Sequence, residues 1–147
     1  DLVDVPERVF PVGRLDVASS GLILMTNDGE LSERITHPRY DHEKEYEVEV
    51  DRPLTDEFLD AMATGVSLQD GKTNIARVLS LGTEEFSIVL TEGKNRQIRR
   101  MCETLGYDVV KLKRVRIMNL HLGKLKPGAW RFLTKEEVTR LRKTSGV

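Results

Sequence analysis

The stretch "EKEYEVEV", Glu43 to Val50, alternates without a break. Tyr46, Val48 and Val50 point one way, and Glu45, Glu47 and Glu49 the other. A period of two is the signature of a β-strand with one buried and one wet face. Such a strand belongs to a sheet covered on one side.

Punctuation along the chain supplies the remaining elements. The apolar run Gly21–Met25 reads as a strand closed by the turn Asn27-Asp28-Gly29. Residues 30–37 read as a short helix that stops near His37-Pro38. Thr55 is placed to cap a helix with Asp56 and Glu57 in its first turn, an apolar face of Phe58, Leu59 and Met62, and Gly65 at its end. Strands are expected near 74–81 and 85–91. Ile98, Met101, Cys102 and Leu105 have helical spacing over about 95–105, with Gly106 as the stop. Residues 108–120 read as one long strand or two short ones, and Trp130–Leu133 as a closing strand. Thr134 and Glu137 form a capping box for a last helix that turns Val138 and Leu141 inward. Strands and helices mix without a regular βαβ alternation, which implies an α+β fold with a largely antiparallel sheet. A chain of 147 residues suits one domain or two small subdomains sharing a core.

Charge is uneven along the chain although the net charge is −1. Residues 41–70 hold ten acids against Lys44 and Arg52. Residues 93–131 hold eleven bases against Glu103 and Asp108. The basic third suggests a face for a polyanion, or else acids and bases neutralise each other across the fold. The longest apolar runs are far too short to span a membrane. One cysteine, Cys102, allows no internal disulfide and points to a reducing compartment, with the cytoplasm expected. With three scattered histidines, His37, His42 and His121, it makes a zinc site unexpected.

Four stretches have chemical potential, and each has a plainer reading. Asp16, between Leu15 and Val17 before an apolar run, is either a turn residue or a partly desolvated nucleophile or base. "TEGKNRQIRRMCETLG" sets Lys94, Arg96, Arg99 and Arg100 around a helix start. They form either a phosphate-binding cluster or a solvated face with Arg99 paired to Glu103. Arg99, beside Ile98, is also placed to pair with a semi-buried carboxylate. Tyr46 is a core residue or a stacking platform for a base. "KLKRVRIMNLHLGKLKPG" lines a nucleic-acid groove with Lys113 and Arg114, or is an ordinary charged edge strand.

Taken together, "PVGRLDVASSGLILMTNDG", "EKEYEV" and "EGKNRQIRRM" followed by "LKRVRI" closely resemble the motifs of bacterial ribosomal RNA pseudouridine synthases of the RsuA/RluB type. The resemblance runs through "LKPGAWRFLT" at 125–134. It implies the pseudouridine synthase fold, a mixed and mostly antiparallel sheet flanked by helices. It further implies isomerisation of a uridine in ribosomal RNA without cofactor or metal. Asp16 would be the essential carboxylate, Tyr46 would pack on the uracil, and Arg99 would pair with Asp16. Arg14 would contact RNA and help hold the flipped nucleotide, and Ile98 would line the base pocket. Lys94, Arg96, Gln97, Arg100, Lys113 and Arg114 would make up the RNA-binding set. The partner would be ribosomal RNA or a pre-ribosomal particle, met by a monomer.

Two features qualify the match. Related chains usually carry a Lys-Pro-containing segment before this point, and many carry a small S4-type RNA-binding domain. Neither is among these residues, which begin at Asp1. The expectation is therefore a catalytic domain, 1–147, partial at its N-terminus. A binding module that kept the fold without the activity is one competing class, and a metal-dependent phosphoryl-transfer or hydrolytic enzyme using Asp16 is another. The latter would need more carboxylates near Asp16 than Asp28 and Glu30.

Overall fold

In a computed structural model, residues 3–37 and 42–146 are described. The alternating stretch forms β4 (Lys44–Val50), which lies near the centre of a mixed sheet. Its neighbours are β8 (Glu85–Leu90) and β9 (Val109–Ile117), both antiparallel to it. β7 (Arg77–Ser80) closes one edge against β8. Along the outer edge of β9 two short strands share the ladder. β10 (Leu120–His121) pairs antiparallel at residues 116–117, and β2 (Ser20–Gly21) pairs parallel at 113–114. β1 (Phe10–Val12) and β3 (Leu24–Thr26) form a separate antiparallel pair, and β5 (Ser67–Leu68) and β6 (Gly71–Lys72) form a small hairpin. The architecture is α+β with a mostly antiparallel sheet.

The helices begin where the caps lie. α1 (Gly29–Thr36) starts at Asp28, whose carboxylate accepts the Leu31 N–H. The stop expected at His37-Pro38 falls partly outside the described residues. α2 (Asp56–Thr64) starts at Thr55 and ends at Gly65. α3 (Gln97–Thr104) begins two residues later than its periodicity predicts. α4 (Lys135–Ser145) carries both halves of the Thr134–Glu137 capping box.

Two expectations fail. The run 21–25 is not one strand, because Gly21 takes φ +118° against β9 and the chain then leaves that sheet for β1. Trp130–Leu133 is irregular rather than a strand. Its two aromatic rings meet edge to face at 5.2 Å, and neither is part of a ladder.

Two hydrophobic cores result. In the larger, Val48, Val50, Phe86, Ile88, Leu90 and Leu112 of the sheet pack on Phe58 and Met62 of α2 and on Ile98, Met101 and Cys102 of α3. In the smaller, Val12, Leu24, Leu31, Ile35, Ile117, Leu120 and Leu141 join β1, β3, α1 and α4 to the far end of β9.

Candidate active site

A cleft of about 530 Å³ opens where the two cores meet. Leu90, Ile98 and Leu112 of the larger core and Val12, Ile35 and Ile117 of the smaller one line it. Such a volume suits a small ligand or one flipped nucleotide, and walls of this kind keep water from part of it.

Asp16 reaches the cleft on a loop secured at both ends. β1 holds one end and the parallel β2–β9 pairing holds the other. Within the loop, the Ser19 N–H donates to the Asp16 carbonyl at 2.9 Å. This tight turn turns the Ala18 carbonyl toward α3, where Arg99 donates to it at 2.9 Å and to Ser19 Oγ at 3.3 Å. Arg99 is 8% exposed, so these are partly buried hydrogen bonds from a charged donor. The expected Asp16–Arg99 ion pair is not formed, nor is the alternative pair with Glu103; Arg99 instead grips the loop beside Asp16. Asp16 is half-buried in the cleft wall and has no ion-pair partner among the described residues.

Tyr46 enters from β4, where it lies opposite Arg114 of β9 and Ile88 of β8. Ile98, at the start of α3, adds an apolar wall and is almost fully buried. Arg14 and Arg96 line the cleft as exposed cations, and Lys94 does so half-buried. Arg96 has φ +49°, a left-handed conformation that an arginine adopts only under strain. Lys94 lies 3.9 Å from Glu92.

Not every expected residue faces this space. Gln97 borders the cleft but spends its amide on its own turn: Oε1 accepts the Lys94 N–H and Nε2 donates to Glu92. Arg100 lies outside it, in a two-point ion pair with Asp70 at 2.8 and 3.1 Å and bonded to the Asn95 carbonyl. Lys113 is exposed and outside the cleft. Arg114 lines the cleft yet is only 4% exposed, with Nε donating to the Leu22 carbonyl at 2.9 Å. Lys44 is a cleft residue that motif reading missed. The signal was present, since Lys44 is two positions before Tyr46 and shares its face. Burial, with the charge of Arg114 added to it, lowers the Lys44 ammonium below the ordinary lysine value.

Among the described residues no group of histidine, cysteine and carboxylate side chains is arranged to hold a metal ion. No described helix is long and apolar enough to cross a membrane. Residues 2–104 match the family model described as RNA pseudouridylate synthase. The chain belongs to this family.

Other comparisons agree with that membership. The chain is 48% identical over 143 residues to the dual-specificity RNA pseudouridine synthase RluF of Salmonella typhi, an alignment covering 97% of this chain and 50% of that protein. It is 42% identical over 145 residues to ribosomal large subunit pseudouridine synthase B of Bacillus subtilis, covering 95% of this chain and 59% of that one. A crystal structure of a pseudouridylate synthase superposes with a TM-score of 0.90 at 34% identity, covering 95% of this chain and 63% of the other. The chain thus spans about half to three-fifths of the length of these family members. A structure of the archaeal box H/ACA sRNP Nop10-Cbf5 complex shares the fold at 16% identity, with a TM-score of 0.52 over 75% of this chain and 38% of that one.

Proposed function

We propose that this chain supplies the catalytic part of an enzyme that converts uridine to pseudouridine in ribosomal RNA, with Asp16 as the reacting carboxylate. The observation that carries this reading is the cleft itself. It gathers Asp16, Tyr46, Ile98 and Arg14 from three distant parts of the chain, and among the described residues the Asp16 carboxylate has no ion-pair partner.

The reaction follows from these parts. A stacked uridine cannot reach the cleft, so the target nucleotide flips out of its helix. Tyr46 stacks on the uracil, while Leu90, Ile98 and Leu112 keep bulk water from the reacting bond. Asp16 assists cleavage of the N1–C1′ bond, by attack at C1′ or by taking the C2′ proton. The bond's electron pair leaves with the ring. The ring turns within the cleft and C5 bonds to C1′, which displaces Asp16 if it had attacked there or is accompanied by return of the C2′ proton if Asp16 had taken it; C5 then gives up its proton, and N1 ends protonated. Reactant and product are isomers, so no oxidant, energy source or cofactor is consumed.

Arg99 acts as a positioning residue, holding the Asp16 loop through Ala18 and Ser19. Arg14, Lys94 and Arg96 at the cleft approach phosphates. On this reading the enzyme is a cytoplasmic monomer that meets ribosomal RNA or a pre-ribosomal particle. The test is to incubate the protein with unmodified small- and large-subunit ribosomal RNA and with transfer RNA, then map pseudouridine by carbodiimide labelling. A new site in ribosomal RNA is expected. Modification confined to transfer RNA would overturn the substrate class, and none in any RNA would favour a binding module.

A further inference from the structure

Two cations lie in the cleft in an unusual state. Arg114 is only 4% exposed, and its Nη2 has no hydrogen-bond partner among the described residues. Its Nε is anchored on the Leu22 carbonyl, which fixes the guanidinium in place. Lys44 stands close enough for the charge of Arg114 to disfavour its own. Neither forms an ion pair among the described residues. Among the described residues two carboxylates line the cleft: Asp16, and Glu92, which is engaged by Asn74, Gln97 and Lys94. A buried guanidinium donor left unbonded beside a desolvated ammonium is costly in the empty protein. That cost is offset when an acceptor or anion enters.

The register says which part of a ligand they would meet. Tyr46 lies directly opposite Arg114, and Lys44 is on the same face two residues before it. Cation, ring and cation therefore form one patch. A base stacked on Tyr46 would present its edge to this patch.

We propose that Lys44 and Arg114 form a two-cation floor that takes up the negative charge of the uracil ring as its bond to the ribose breaks. This rests on the pseudouridine synthase reading and adds two catalytic residues to it. When the N1–C1′ bond breaks, its electron pair passes to N1 and spreads over the O2 and O4 carbonyls. Fixed cations at that edge stabilise the separated ring more than the intact nucleoside. They act by charge and hydrogen bonding alone, and no proton leaves either. Because that charge is not tied to one ring atom, the floor holds the ring while it turns from N1 to C5.

The test compares wild type with Lys44→Met and Lys44→Arg. The first removes the charge and keeps the stem, and the second restores the charge. Thermal unfolding checks each fold, and Lys44→Gln repeats the comparison should the Met variant not fold. Single-turnover rates are measured at saturating RNA, with RNA affinity measured separately. Lys44→Met is expected to lower the rate about 100-fold, with RNA affinity changed less than about threefold, and Lys44→Arg to recover most of the loss. Separately, uracil is titrated against barbiturate, a uracil-like ring that is anionic at neutral pH. Wild type is expected to bind barbiturate at least about 10-fold more tightly, a preference that Lys44→Met abolishes.

An unchanged rate in Lys44→Met, or no barbiturate preference in active wild type, overturns the proposal. So does weaker RNA binding with a shallower salt slope and an unchanged rate, which would assign the cations to a phosphate. A wild type that prefers barbiturate but makes no pseudouridine leaves the anion floor standing and removes the reading beneath it.

Discussion

Gly21→Ala is the substitution that the structure makes most costly for its size. Gly21 sits in β2 at φ +118°, where an L side chain is strained. A Cβ added there would meet the Arg114 carbonyl oxygen at 2.2 Å and the Arg114 nitrogen at 2.5 Å. Both are backbone atoms of a central ladder, so neither can swing aside. The strand must leave β9, losing its pairing and the Leu22 N–H bond to Arg114 O. Backbone strain of about 1–3 kcal/mol and overpacking of similar size give a loss of about 2–6 kcal/mol. That is a large share of the ~5–15 kcal/mol that holds a domain folded. The same displacement moves the Asp16 loop, and an error near 1 Å in a reacting group costs about 100-fold in rate. Urea unfolding measures the first effect and single-turnover pseudouridine formation, well below the unfolding temperature, measures the second. A variant within about 0.5 kcal/mol of wild type at full activity would refute the argument that β2 fixes the loop.

Other substitutions test other parts of the account. Arg99→Met removes both grips on the loop and should cost about 2 kcal/mol by urea unfolding, with an activity loss that persists where the variant is fully folded. Arg96→Gly relieves a left-handed arginine and should stabilise the fold by about 1 kcal/mol, while lowering RNA affinity and reducing the salt slope by about one. Glu137 is held down to about 2, first by its bond to Arg131 and then by the Thr134 backbone. A lowered carboxyl value means that the folded state binds the proton more weakly than the unfolded one. Its contribution is therefore full above about 4.5 and is lost as pH falls toward about 2. Glu137→Gln should lower stability at pH 7 and flatten its dependence across that acid window, as followed by thermal unfolding.

How legible this molecule is from its residues varies with the range of the forces involved. β4 was plain because strict alternation admits one phase, and the same phase that exposes Tyr46 to the cleft also delivers Lys44. The starts of α2 and α4 were plain because Thr55 and Thr134 cap within three residues of themselves, whereas Asp28 reads as a turn residue and proves to be the cap of α1. β9 was not so plain. "LKRVRI" alternates imperfectly, and the register against β4 shifts between Glu45 and Tyr46. Leu112 and Arg114 are buried, and after Val115 the burial phase changes so that Ile117 is buried too. No local rule sends Arg114 inward and Lys113 out. The pairing of Arg100 was hidden for a similar reason, since its partner Asp70 lies on a loop 30 residues away. The motifs named Arg99 and Asp16 together, but only the fold shows that the arginine holds the loop rather than the carboxylate.

In the proposed reaction this cleft uses Asp16 to detach, turn and rejoin a uracil. RNA carrying tritium at uridine C5 tests it most directly, because only rejoining through C5 expels that hydrogen while retaining the base. The account predicts tritium release to water in step with pseudouridine formation, no free uracil, and a rate lowered about 1,000-fold or more in a folded Asp16→Asn variant. Release that survives in Asp16→Asn, or uracil accumulating in solution, would contradict it.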